Sequence, residues 1–221
     1  MDNDRLQPPV GKVFPPCPGM AALILAAGRS SRMGTSKPLL PLGGETLLER
    51  VIGIAGGAGV EDILIVLGHE AELLLPVLAG KNVRVIVNPD YDRGMFSSLQ
   101  TGVRNLPPQC RGFFVLPADM PRIRPSTLSR LHAAFQEPGV LVCRPRFRER
   151  RGHPPLLSAA LIPAILAYDG VGGLRTLLTG FEKWSLNVDV DDPGILVDLD
   201  TPADLEANIR LSRHKRTTPA A

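Results

Sequence analysis

At 221 residues and 44% hydrophobic content, the chain is long enough for one domain with a substantial core. Its 25 Lys and Arg against 22 Asp and Glu leave an excess of three, which is too small to argue for a nucleic-acid or membrane-surface partner. No run approaches the roughly 18 apolar residues of a membrane span, and the acidic, Pro-rich start MDNDRLQPPVGKVFPPCPGM reads as neither a secretory signal nor a transit peptide, so a cytoplasmic protein is expected.

Residues 1–19 hold five prolines and no periodicity and read as a flexible arm. A single domain is expected over 20–211, followed by a basic tail at 212–221. Short apolar runs at 21–26, 62–67, 83–87, 112–117 and 139–143 predict strands. Between them, ETLLERVIGIAG, HEAELLLPVLAG, MFSSLQTGVRNL and STLSRLHAAFQ place apolar residues three and four apart and predict helices. Continuous apolar strands alternating with helices imply an α/β fold, a Rossmann-like and mostly parallel sheet with helices on both faces. After residue 144 the alternation loosens into the arginine-rich RPRFRERRGHPPLL, a helix near 159–167, VGGLRTLLTG, and strands WSLNVDV and ILVDL. A last helix opens at TPADLEANIRL, with Thr201 as N-cap, Pro202 in the first turn and Asp204 in the capping-box position. Cys17, Cys110 and Cys143 are far apart, odd in number and without metal-ligand spacing, so they read as ordinary packing residues.

In open α/β sheets, ligands bind beyond the carboxyl ends of the strands. The loop 27–37 lies at such an end. Gly28 and Gly34 let the backbone turn tightly and approach a ligand, Ser30, Ser31 and free N–H groups can donate to phosphate oxygens, and Arg32 and Lys37 add positive charge. The spacing fits neither GxxxxGK[ST] nor GxGxxG. A tight turn with two solvated basic residues is the plain alternative. Asp119, just past a buried strand and followed by Pro121, suits a hard cation that keeps several waters and binds a triphosphate; a turn cap is the plain alternative. In VDVDDPGILVDLDTP, Asp198 alternates with Val197 and Leu199 at the end of an apolar strand. Asp200 shares its face, so the sequence does not separate the two as metal ligands.

LAAGRSSRMGTSKPLLPLGGETLLE resembles the LAAGxSxRMGxxK signature of the molybdenum-cofactor-type nucleotidyltransferases, a branch of the sugar-nucleotide transferase superfamily, and agrees with it from Leu25 through Lys37. NPDYDRGMFSSLQTGV, LPADMPRI and VDLDTPADL agree in order, and RRGHPPLL resembles the GHP element of the molybdenum cofactor cytidylyltransferases. The resemblance implies the nucleotide-diphospho-sugar transferase type of fold over nearly all of residues 21–209. It implies a nucleotide site at Leu25, Ala26, Ala27, Gly28, Ser30, Arg32, Gly34, Lys37, Asn88, Gly94, Ser97, Ser98 and Asp119. It assigns Arg32, Lys37 and Asp119 to catalysis, Mg²⁺ to Asp119 with Asp198 (Asp200 as competitor), and the acceptor to His153 and Arg175, a turn residue before two prolines being the plain alternative for His153.

With no nucleophile–base pair in view, these groups suit nucleotidyl transfer by positioning and charge neutralisation. LAAG, rather than LAGG, resembles the cytidylyl-transferring members, so the resemblance implies CTP and a molybdopterin acceptor as substrates, with a molybdoenzyme or its maturation factor as partner. GVGGLR stands where the family carries GDxGAR, with Val171 for Asp and Leu174 for Ala. Transfer to a sugar phosphate or other small phosphorylated acceptor, and a non-catalytic nucleotide-binding delivery role, therefore stay open.

Overall fold

The structure is a computed structural model and describes residues 17–29, 36–201 and 203–204. The chain runs β1 (Met20–Ala26), β2 (Pro41–Leu42), β3 (Glu45–Thr46), α1 (Leu47–Gly57), β4 (Asp62–Leu67), α2 (Ala71–Leu78) and β5 (Arg84–Val87). It continues through α3 (Met95–Arg104), β6 (Gly112–Pro117), α4 (Pro125–Phe135), β7 (Val142–Phe147), β8 (Arg150–Arg151), β9 (Leu156–Ser158), α5 (Ile162–Ala167), α6 (Gly173–Thr179) and β10 (Ser185–Asp189). The main sheet has the order β10-β7-β9-β6-β1-β4-β5, with β8 attached to β7. Pairing is parallel except around β9, which runs antiparallel to both β6 and β7, and at the β7–β8 hairpin.

Side chains alternate across each strand, and in β1 both faces are buried. Ala22, Ile24 and Ala26 pack with Ile65, Leu67, Phe114 and Leu116 under α1, α2 and α4. Ala21, Leu23 and Leu25 pack with Leu64, Val66, Phe113 and Val115 under α3, α5 and α6. This is why these strands read as continuous apolar runs instead of alternating ones. The chain winds outward from β1 to β4 and β5, then crosses back to β6 on the other side of β1. The strand order therefore reverses at β1, and the loops after β1 and β6 part there to leave a crevice.

Three expectations need correcting. The strand placed at 139–143 begins at Val142 and runs on through Arg144 to Phe147. Arg144 is buried there because its guanidinium donates to Glu182 Oε1 at 2.7 Å and to the Leu178 carbonyl at 3.1 Å. ILVDL is not a strand: Pro193–Leu196 forms a 3₁₀ turn, with Pro193 and Gly194 at its start and the Asp192 carboxylate accepting from the Gly194 amide at 3.0 Å. The fold also begins before residue 20, since Cys17 is buried and its amide donates to the Gly59 carbonyl at 3.0 Å. Residues 1–16 of the arm, the tail 212–221 and most of the last helix lie outside the described residues. At that helix's start, the Thr201 amide donates to Asp204 Oδ2 at 2.8 Å and the Asp204 amide to Thr201 Oγ1 at 3.3 Å, the reciprocal bonds of a capping box.

Candidate active site

The carboxyl ends of β1 and β6 open into a cavity of about 630 Å³. Leu25, Ala26, Ala27 and Gly28 form its floor where β1 ends, and Ala118 and Asp119 enter from β6, tied to β1 by the Ala118 amide donating to the Leu25 carbonyl at 3.2 Å. Lys37, Gly94, Ser98, His153 and Asp198 also line it. Ser30, Arg32 and Gly34 lie outside the described residues.

Lys37 stands at the start of a 3₁₀ turn anchored by buried Pro38. Its ammonium donates to Asp119 Oδ2 at 3.1 Å and to Asp200 Oδ1 at 2.6 Å. Burial pushes the Lys37 pKa down, but the hydrogen bonds and charges of Asp200 and Asp119 outweigh it and hold the group above its ordinary value. Lys37 therefore stays an ammonium throughout the physiological range.

Asp198 and Asp200 have different neighbours. The Leu199 side chain is buried with Leu42 and Leu47, and its amide donates to the Asp119 carbonyl at 3.0 Å. With Leu199 pinned, Asp198 lines the cavity on the His153 side, while Asp200 meets Lys37 and is not among the lining residues. His153 is exposed to the cavity, yet the walls around it strip water from the imidazole. That desolvation holds its pKa below the usual value although the carboxylates of Asp119 and Asp198 pull upward. The imidazole is neutral at pH 7 and supplies a hydrogen bond or a proton position, not fixed charge.

Asn88 supports the site from behind. Its amide nitrogen donates to Ser97 Oγ at 2.9 Å and Ser98 Oγ at 3.0 Å, and its oxygen accepts from the Asp90 amide at 3.0 Å and Thr101 Oγ1 at 3.2 Å. Two donors and two acceptors are thus all engaged, and Asn88 and Ser97 shape the loop without lining the cavity. Arg175 is exposed on α6 and is not brought to the cavity.

The sequence reading passed over several residues. Arg29 donates to Asp92 Oδ1 at 2.9 Å with its guanidinium 5.9 Å from the Tyr91 ring centroid, and this trio lines the β5 side. Gly68 admits Ala27 and Tyr91, since a Cβ there would lie 2.8 Å from the Ala27 methyl and 2.6 Å from the Tyr91 Cβ. Gly152 lets the GHP turn lie on the 193–196 turn: a Cβ would come within 2.3 Å of the Ile195 carbonyl oxygen, and the next amide, of His153, donates to that oxygen at 2.9 Å. Arg151 lines the same side. Only the position of Arg29 directly after Gly28, and of Arg151 directly before the GHP element, marks them in the sequence.

The MobA-like NTP transferase domain family matches residues 22–187. Nicotine blue oxidoreductase of Paenarthrobacter nicotinovorans is 30% identical over 200 residues, 83% of this chain and 93% of that protein. Molybdenum cofactor cytidylyltransferase of Escherichia coli (strain K12) is 29% identical over 183 residues, 82% of this chain and 91% of that protein. Among solved structures, Rv0371c of Mycobacterium tuberculosis H37Rv aligns with a TM-score of 0.75 at 28% identity, over 86% of this chain and 97% of that one. Its complex with manganese aligns at 0.71 and 25%, over 86% and 98%.

Proposed function

This chain belongs to the family of MobA-like NTP transferase domains, and on that premise we propose that it transfers CMP from CTP to a phosphorylated acceptor, molybdopterin, releasing pyrophosphate. Two relatives of nearly equal identity carry different named activities, so the side chains must choose between chemistries. The observation that carries the choice is the Lys37 ammonium held by Asp119 and Asp200 at the strand-order reversal. A permanent cation beside converging carboxylates is built for polyphosphate. The LAAG pattern, with the Ala27 methyl seated against Gly68, supports cytidine.

In this reading an acceptor phosphate oxygen attacks the α-phosphorus of CTP, and the bond from that phosphorus to the bridging oxygen breaks as pyrophosphate leaves. Gly28 and Ser98 bring backbone and hydroxyl to the nucleotide, and Lys37 neutralises charge on the phosphates in a partly dry site. Arg32 does the same for the leaving group, and neutral His153 orients the acceptor. The carboxylate oxygens of Asp119 and Asp198 are hard donors on the open cavity, with Asp200 bonded to Lys37 beside them, which suits Mg²⁺ with its retained waters. Asp119 with Asp198 would hold it, with Asp200 as competitor. When bound it would neutralise the phosphate oxygens there.

A second acceptor class is favoured by one observation. GVGGLR departs from the family pattern, and its remaining Arg175 lies away from the cavity, so a sugar phosphate or other small phosphorylated acceptor competes with molybdopterin. The test is pyrophosphate release with each of the four triphosphates and Mg²⁺, with and without molybdopterin or sugar phosphates. The expected result is release with CTP only when molybdopterin is present. Release with sugar phosphates instead reassigns the acceptor, and tight nucleotide binding without release in any mixture replaces the enzyme by a delivery protein serving a molybdoenzyme or its maturation factor.

A further inference from the structure

Three cationic side chains line the cavity among the described residues, namely Arg29, Lys37 and Arg151. Arg29 sits with Tyr91 and Asp92 on the β5 side, and Lys37 sits with Asp119 and Asp200 in the middle. Arg151 alone stands on the far wall, beside Gly152 and His153 and on the same side as Asp198. If the nucleotide occupies the β1 and α3 side, the far wall must take the acceptor, and an acceptor that attacks through a phosphate brings negative charge to it. Arg175, the other residue expected at the acceptor, is not brought to the cavity.

The hairpin carrying Arg151 is built against local preference. Arg148 and Glu149 turn it with φ of 46° and 63°, a left-handed conformation that non-glycine residues seldom adopt. The register then sets Arg151 directly opposite Arg146, two like charges across one ladder. Each is covered by a separate carboxylate. Arg146 donates to both oxygens of Asp189 at 2.7 and 2.9 Å, and Arg151 donates to both oxygens of Glu182 at 3.2 Å. The two cases differ in their carboxylates. Glu182 is already held at 2.7 Å by the buried guanidinium of Arg144, so it keeps a partner if Arg151 moves away. The Arg151–Glu182 pair is nearly half exposed on both sides, with side-chain exposures of 48% and 45%, and such pairs bind weakly.

We infer that Arg151 binds the acceptor's phosphomonoester dianion, exchanging the Glu182 carboxylate for two phosphate oxygens. A guanidinium fork matches a phosphate in charge and geometry better than a singly charged, water-exposed carboxylate. The inference rests on the transfer reading for two statements, that the nucleotide takes the β1 and α3 side and that the acceptor is phosphorylated.

Phenyl phosphate is the probe, with equilibrium dialysis of the full chain as the measurement. Trp184, the chain's single tryptophan and two residues from Glu182, gives a fluorescence readout of the exchange. Saturable binding is expected, weakened at least tenfold in Arg151→Gln, partly recovered in Arg151→Lys and unchanged in Arg150→Gln, which alters the same hairpin outside the cavity lining. Equal affinity in wild type and Arg151→Gln, or no saturable binding to wild type, overturns the assignment. Pyrophosphate release is scored separately. Binding through Arg151 in a chain that turns over no triphosphate keeps this inference and removes the transfer reading. Turnover with phenyl-phosphate binding indifferent to position 151 does the reverse.

Discussion

Asp192 holds the acidic wall of the cavity in place without touching it. Its buried carboxylate accepts from Thr127 Oγ1 at 2.6 Å, the Arg124 amide at 2.8 Å and the Gly194 amide at 3.0 Å. Asp192→Ala leaves these donors orphaned in the interior and should cost about 3 kcal/mol, lowering the thermal midpoint in a melt by roughly 6–12 °C for a chain of this size. No shift in the midpoint would show that water replaces the carboxylate without loss. Asp198 and Asp200 call for a different measurement, because Asp198 lines the cavity while Asp200 is bonded to Lys37. Titration with Mn²⁺, followed by water-proton relaxation, should weaken at least tenfold in Asp198→Asn and less in Asp200→Asn. The reverse order would move the metal to the Asp200 side. These distinctions were not legible in the sequence, since they depend on Lys37, Thr127 and Arg124, which the fold brings from distant segments.

At the scale of elements, α1 shows how a local signal becomes stability. Thr46 caps the helix, its Oγ1 accepting from the Glu49 amide at 3.2 Å, while Glu49 Oε2 accepts from the Thr46 amide at 2.8 Å and Glu49 Oε1 from Lys81 at 2.8 Å. Thr46→Ala should cost about 1 kcal/mol in chemical denaturation. The Lys81 hydrogen bond, with those of Thr46, lowers the Glu49 pKa from 4.5 to about 2. A carboxylate with a depressed folded pKa stabilises above its unfolded value and loses that contribution as pH falls through the folded one. Wild type should therefore lose stability relative to Glu49→Gln between pH 4.5 and 2, and parallel acid titrations of the two would contradict this. Strands β4 and β6 were legible from end to end because both faces are buried and the apolar run is uninterrupted. Strand β7 was not, because Arg144 and Arg146 look like solvent-exposed residues until Glu182 and Asp189 are brought beside them from distant sequence.

Across the whole molecule, the alternating faces of β1 fix two cores, and the reversal of strand order at β1 fixes where the cavity opens. The reversal itself is set by long-range strand pairing. The sequence could show the first of the two, because burial on two faces is written in short-range pattern, and it placed the 27–37 loop at a strand's carboxyl end. It could not show which far-wall cation enters the cavity, since that depends on the register of an irregular hairpin. The same burial governs the thiols. Desolvation raises Cys17 to about 11, and desolvation with the charge of Glu137 raises Cys143 to about 12. Both should resist alkylation by iodoacetamide at pH 8 in the native chain and react once denatured; rapid native labelling would mean that the core opens locally. The central claim is that the cation and carboxylates gathered at the strand reversal drive nucleotidyl transfer. It is tested most directly by pyrophosphate release from CTP, Mg²⁺ and molybdopterin in wild type, Lys37→Ala and Asp119→Asn. Release by wild type with a loss of about 10²-fold or more in each variant, at unchanged circular dichroism, is the predicted result. Turnover retained in either folded variant would contradict it.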